Sequence, residues 1–225
     1  TQNNQPIRLL AKIIPFSITA VNANKGGNTG SVTVKIEGAK FERGMIAKLM
    51  GQNKVYIATS IYYIDPSRIF ATFNLNAAPI GLYTVSLQKQ NGSITQLTDG
   101  FEVTNGSPGG VDGGNDLFSC SIQNIGFDDN IDLDVLHPES VRRNQLVKIT
   151  VAFSNQGNVD IPVQTRMLLS LEGAPINFSP EFSKKLQELI LEFKESDGPP
   201  GILRAGSSGY INIYSHAVAP LAFII

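Results

Sequence analysis

The sequence predicts an all-β protein, two antiparallel β-sandwiches in tandem. Three observations predict it. Apolar residues recur at every second position in run after run, and clusters of Gly, Asn, Asp, Ser and Pro separate those runs. The pattern also halts at a Gly-rich stretch near the middle of the 225 residues and then begins again. Alternation of this kind belongs to strands with one face in a core and the other turned away from it. A chain of this length accommodates two ordinary domains.

In the first set, SVTVKIEG places Val32, Val34 and Ile36 on one face and Thr33, Lys35 and Glu37 on the other. IFATFNL gives an inward set of Ile69, Ala71, Phe73 and Leu75, and LYTVSLQKQ gives Tyr83, Val85 and Leu87. The clusters NKGGNTG, GQNK, DPSR, NAAPIG and KQNGS punctuate these runs as turns. In the second set, IDLDVL aligns Ile131, Leu133 and Val135, and QLVKITVAF aligns Val147, Ile149, Val151 and Phe153. RMLLSLEG suggests Met167, Leu169 and Leu171 as its inward set, and GYINIY suggests Ile211 and Ile213.

One segment carries two periods. SPEFSKKLQELILEFKES offers Ser179 as an N-cap, Pro180 at the first helical position and Glu181 in the first turn. Leu189, Leu191 and Phe193 meanwhile alternate as in a strand. The expectation is a short helical turn over 180–187 followed by a strand over 188–194. The domains expected are 1–106 and 117–225, joined by a Gly-rich linker at 107–116 with few contacts across it.

Composition narrows the function classes. A formal net charge of −1, with charged residues at 16%, gives no electrostatic footprint for nucleic acid. Nothing approaches the roughly 18 apolar residues of a membrane span. The single Cys120 excludes an intrachain disulfide and a cysteine metal cluster. Thr1 opens the sequence without a charged and apolar leader, which reads as a mature product or a fragment.

Two resemblances add to this reading. Pro15, GSVTVKIEGAKFERGM, ATFNLNAAPIGLYTVSL and FEV at 101–103 resemble an immunoglobulin-like module of the IPT/TIG type. In that family a glycine-to-phenylalanine element turns the chain between strands, matched by Gly38 to Phe41, and a Gly-x-Tyr-x-Val strand follows, matched by Gly81, Tyr83 and Val85. VRRNQLVKITVAFSNQGNVDIPVQTRMLLS and GPPGILRAGSSGYINIY resemble the CARDB-like repeats of large exported bacterial proteins, with Asn155, Gly157, Asn158 and Asp160 as a strand-to-strand turn. The resemblances imply two Ig-like domains, extracellular or cell-surface placement, and a non-catalytic role in a modular protein.

Candidate sites are few. GGVDGGNDLF, residues 109–118, matches one turn of a calcium-binding nonapeptide repeat, but such turns bury their faces only when stacked, so a linker is the preferred reading. FDDNIDLD supplies Asp128, Asp129, Asp132 and Asp134 as candidate calcium ligands; their spacing fits no EF-hand, and a solvated strand edge is preferred. Tyr56, Tyr62 and Tyr63 are the candidates for a sugar-stacking platform, against the plainer reading of cross-strand aromatic pairs. His137 and His216 flank predicted strand ends, and the GSSG at 206–209 lacks the spacing of a nucleophile elbow. No enzyme and no cofactor are expected. The expected role is structural or adhesive, spacing or presenting neighbouring domains, with another protein or a glycan as further partners. The alternative is an accessory, carbohydrate-binding module of a secreted enzyme.

Overall fold

The computed structural model describes residues 13–107, 131–138, 141–142, 144–163, 165–170, 173–182 and 184–216, and the backbone of 223–224. The 107–116 linker beyond Ser107 lies outside the described residues, as do Asp128, Asp129, Cys120 and Leu171. All regular structure among the described residues is β.

The N-terminal half contains β1 (Ser17–Asn22), β2 (Lys25–Gly27), β3 (Ser31–Ala39), β4 (Ile46–Gly51), β5 (Lys54–Ile57), β6 (Ser60–Asp65), β7 (Arg68–Asn74), β8 (Gly81–Gln88) and β9 (Ile94–Thr104). They form a sheet in the order β1-β3-β7-β6 and another in the order β2-β9-β8-β4-β5. In chain order, the two layers match the strand orders ABED and GFC described for immunoglobulin sandwiches, with β5 in the place of C′. Every pairing is antiparallel except that of β2 with β9, which is parallel. The alternating sets meet between the layers: Val32, Val34, Ile36, Ile69, Phe73, Val85 and Leu87 are each fully buried. Tyr83 is buried too, and its hydroxyl donates to the Pro79 carbonyl at 2.8 Å, the local geometry of a tyrosine corner. Gly38 is required by packing, since a Cβ there would run into the Ser17 carbonyl oxygen and the Phe41 ring.

The C-terminal half contains β10 (Asp132–Leu136), β11 (Leu146–Ser154), β12 (Ile161–Pro162), β13 (Thr165–Ser170), β14 (Ile176–Asn177), β15 (Glu188–Glu192), β16 (Ile202–Leu203), β17 (Ser208–His216) and β18 (Phe223–Ile224). Its sheets run β10-β11-β17-β14, β15-β13-β18 and β12-β16. A second cluster of buried side chains lies between them, including Val147, Ile149, Val151, Phe153, Leu191 and Phe193. The Phe153 and Phe193 rings stand 5.2 Å apart.

Two expectations about this half are corrected. In β13 the buried residue is Leu168, while Met167 is 52% exposed. The run MLLSL is apolar at both parities, so alternation sets no register there; pairing with β15 does. Leu168 lies opposite the buried Leu189, and Met167 opposite the exposed Ile190. The helical turn over 180–187 is also absent. Ser179 Oγ does accept the Glu181 N–H at 3.3 Å, as a cap would. Phe182 then adopts φ 45°, a left-handed conformation unfavourable for a bulky residue, and no helix propagates through it. The Asn177 amide donates to the Lys184 carbonyl at 2.9 Å and Leu186 bridges Ile176, so the segment loops back onto β14. The strand that follows is the expected one, ending at Glu192.

Candidate functional site

The loop SNQGNVDIP, running from the end of β11 into β12, joins the two halves. Its shape is held by Asn155, which is 1% exposed. Asn155 Oδ1 accepts the Gly157 N–H at 2.9 Å, and Nδ2 reaches the carbonyls of Val159, Leu203 and Arg204 at 2.9, 3.2 and 3.2 Å. A buried amide with its capacity filled fixes the backbone around it, so Asn158, Val159 and Asp160 are presented in one arrangement.

Those three residues meet the N-terminal half. The Asn158 carbonyl accepts the Gly27 N–H at 2.6 Å and its own N–H donates to the Ser107 carbonyl at 3.1 Å. Its side chain donates to Thr104 Oγ1 at 3.0 Å and to the Asn105 carbonyl at 2.7 Å, and accepts the Ser107 N–H at 2.7 Å. Position 27 must be glycine, because a Cβ would overlap the Asn158 side chain. Val159 is buried with the N-terminal cluster rather than its own. The Asp160 N–H donates to the Ser31 carbonyl at 2.8 Å. Asp160 Oδ2 accepts the Thr33 hydroxyl at 2.5 Å, and Oδ1 accepts the Ala205 N–H at 3.2 Å.

Charge and aromatic contacts extend this seam. Arg204 is 8% exposed, pairs through Nε and Nη2 with the Glu195 carboxylate, and lies 4.8 Å above the Phe70 ring. Lys35 stands 3.9 Å from Asp197. The face of β3 and β7 turned away from the N-terminal core is therefore covered at Thr33 and Phe70, 0% and 1% exposed. The expected joint with few contacts is not what forms. Burial pushes the Asp160 carboxyl above the ordinary carboxylate range; the Thr33 hydroxyl, the Ala205 N–H and Arg204 pull it only part of the way back. Beside the seam is an open cleft of about 540 Å³, with Asn24 and Lys25 on one side and Glu195 and Arg204 on the other.

The structure separates the tyrosine candidates. Tyr56 packs edge-on to the buried Tyr83 at 6.0 Å, and Tyr63 packs against the core under the Arg43 guanidinium at 4.7 Å. Tyr62, next in β6, points to the opposite face, 42% exposed and 6.5 Å from Phe70. They present no common plane to a sugar. Asp132 and Asp134 lie on the outward face of β10, and no group of three acidic, His or Cys side chains gathers around a point among the described residues. The His216 ring packs on Phe182 at 4.6 Å.

Sequence reasoning placed Asn155, Asn158 and Asp160 in a turn and missed that the turn is a joint. The signal was Val159, an apolar residue flanked by Asn158 and Asp160, taken with Thr33 on an otherwise charged face. Among the described residues no helix is long and apolar enough to cross a membrane. No family model matches the chain, and no curated protein matches it.

Proposed function

We propose that the chain is a non-catalytic structural segment of a larger exported protein, holding its neighbours at a fixed spacing and orientation. The observation that carries this reading is Val159, a residue of the C-terminal half seated in the N-terminal core, flanked by the Asn158 and Asp160 hydrogen bonds. A spacer must resist bending at its joints, and this joint uses a buried side chain and directed hydrogen bonds instead of loose backbone. The order of strands β1 to β9 and the Tyr83 corner support an IPT/TIG-like identity for the N-terminal half. Extracellular or cell-surface placement follows from that kinship in our reading.

Backbone NMR relaxation tests the proposal. Amides in β3 and β11 should report one rotational correlation time. In a chain carrying Asn158→Gly with Val159→Asp they should report two. Separate correlation times in the unmodified chain would sink the spacer reading.

A further inference from the structure

We propose that the outward face of the β10–β11–β17 sheet binds an extended basic peptide segment, one with Lys or Arg at alternate positions. The proposal goes beyond the spacer reading and does not depend on it. Pairing across the three strands lines up Asp134, Ala152 and Tyr210 in one row, and Asp132, Ser154 and Ser208 in the next. Neighbouring strands lie about 4.8 Å apart, so the outer two stand about 10 Å from each other. Between them in these two rows the floor, Ala152 and Ser154, rises no higher than a methyl or a hydroxymethyl group, with Thr150 next along β11. The result is a trough of about 340 Å³ running along β11.

One wall of the trough is anionic and the other aromatic. Asp132 and Asp134 are exposed, no cationic side chain lines the trough, and neither carboxylate is ion-paired among the described residues. Tyr210 is 70% exposed, so its ring face is free to receive a cation or an alkyl stem. Two carboxylates with no counter-charge, opposite a bare aromatic ring, complement an ammonium or guanidinium group. Their spacing selects the form of the ligand. Positions two apart on a strand are about 6.8 Å apart, and alternate side chains of an extended peptide repeat at that same distance. A peptide lying along the trough thus brings one basic head to each carboxylate. Calcium fits less well, since it takes about six to eight oxygens and no third acidic ligand joins these two among the described residues. A glycan would leave the paired negative charge unanswered.

The experiment is fluorescence anisotropy on the full 225-residue chain, with a labelled peptide of alternating Lys and Ser. Alternating Glu and Ser, a mixed oligosaccharide panel and calcium chloride are the comparison arms. The Lys peptide should bind, with affinity falling as salt is raised. The double change Asp132→Asn/Asp134→Asn should weaken it about tenfold, and Tyr210→Ser about threefold. Glu181→Gln, a charge removed elsewhere, should leave it unchanged. Thermal unfolding of each variant confirms that the sheet is intact. Absence of Lys-peptide binding, or equal weakening by Glu181→Gln, overturns the proposal. So does binding of saccharide or calcium, in place of the peptide, that is lost in the same variants.

Discussion

Thr33 has one hydroxyl hydrogen and two polar neighbours, and the geometry decides between them. Its oxygen lies 2.5 Å from Asp160 and 2.8 Å from the Thr72 hydroxyl. An ionised carboxylate only accepts, so Thr33 donates to Asp160 and Thr72 donates to Thr33. Thr33→Val keeps the shape, removes the donor and leaves a buried carboxylate short of a partner. The expected loss is about 1–3 kcal/mol in chemical denaturation; a neutral result would mean that water reaches Asp160. The same carboxylate gives the seam a pH response. Its folded-state pKa is raised above the ordinary 3.8, so its contribution is greatest below that value and is lost as pH rises through the folded-state pKa. Asp65 has the opposite sign. Its pKa is lowered to about 2 by hydrogen bonds from the Ser67 hydroxyl and Arg68, so its contribution is present above 3.8 and is lost as pH falls toward 2. The melting temperature of the unmodified chain, measured relative to Asp160→Asn, should therefore rise as pH is taken from 7 to 4. A flat difference would show that Asp160 is solvated.

β13 shows where sequence alternation stops being informative. In β3, apolar Val32, Val34 and Ile36 are separated by Thr33, Lys35 and Glu37, so only one register buries the apolar set and the strand reads directly. In β13, Met167, Leu168 and Leu169 are consecutive, and either face satisfies the pattern. The choice is made non-locally, by Leu189 and Leu191 across the sheet in β15. Met167→Lys should change stability by no more than about 0.5 kcal/mol, while Leu168→Lys should cost more than about 3 kcal/mol. Equal costs would return the strand to its other register. The segment at 180–187 failed for a related reason. Ser179 and Pro180 are sound helix-start signals, but capping stabilises a helix by only about 1 kcal/mol, and contacts with Asn177, Ile176 and His216 outweigh it. Local signals were legible. The partners that overruled them lie from 7 residues away, as Asn177 does from Lys184, to more than 20, as Leu189 does from Leu168.

The N-terminal core contains a side chain of the C-terminal half, Val159, and stability should be coupled through it. Val159→Ala should cost about 1–2 kcal/mol through lost burial and a residual cavity. The cost should appear in hydrogen exchange at β3 and β9, although the substitution lies in the other half. Unchanged protection in those strands would show two units that unfold independently. The joint was invisible as a joint in the sequence because each of its members has an ordinary local explanation. Asn155, Gly157 and Asn158 suit a turn, Thr33 suits a strand's polar face, and Gly27 suits a loop. Only their convergence in space assigns them to one seam. Tyr62 and Tyr63 show the reverse case, since adjacency in sequence places strand neighbours on opposite faces.

The parallel pairing of β2 with β9 has a mechanical meaning. These are an early and the last strand of the N-terminal half, and they run the same way, with Lys25, Gly26 and Gly27 beside Glu102, Val103 and Thr104. Once β1 has parted from β3, tension drawing β2 toward its N-terminal end and β9 toward its C-terminal end pulls the two strands past each other along their length. The hydrogen bonds between them are then strained together in shear, whereas an antiparallel hairpin peels open one rung at a time. Asn158 braces the same point, accepting from Gly27 on one strand and donating to Thr104 on the other. The C-terminal half thus acts as a latch on the clasp of its neighbour, and a pulled chain must release that latch before the clasp can slide.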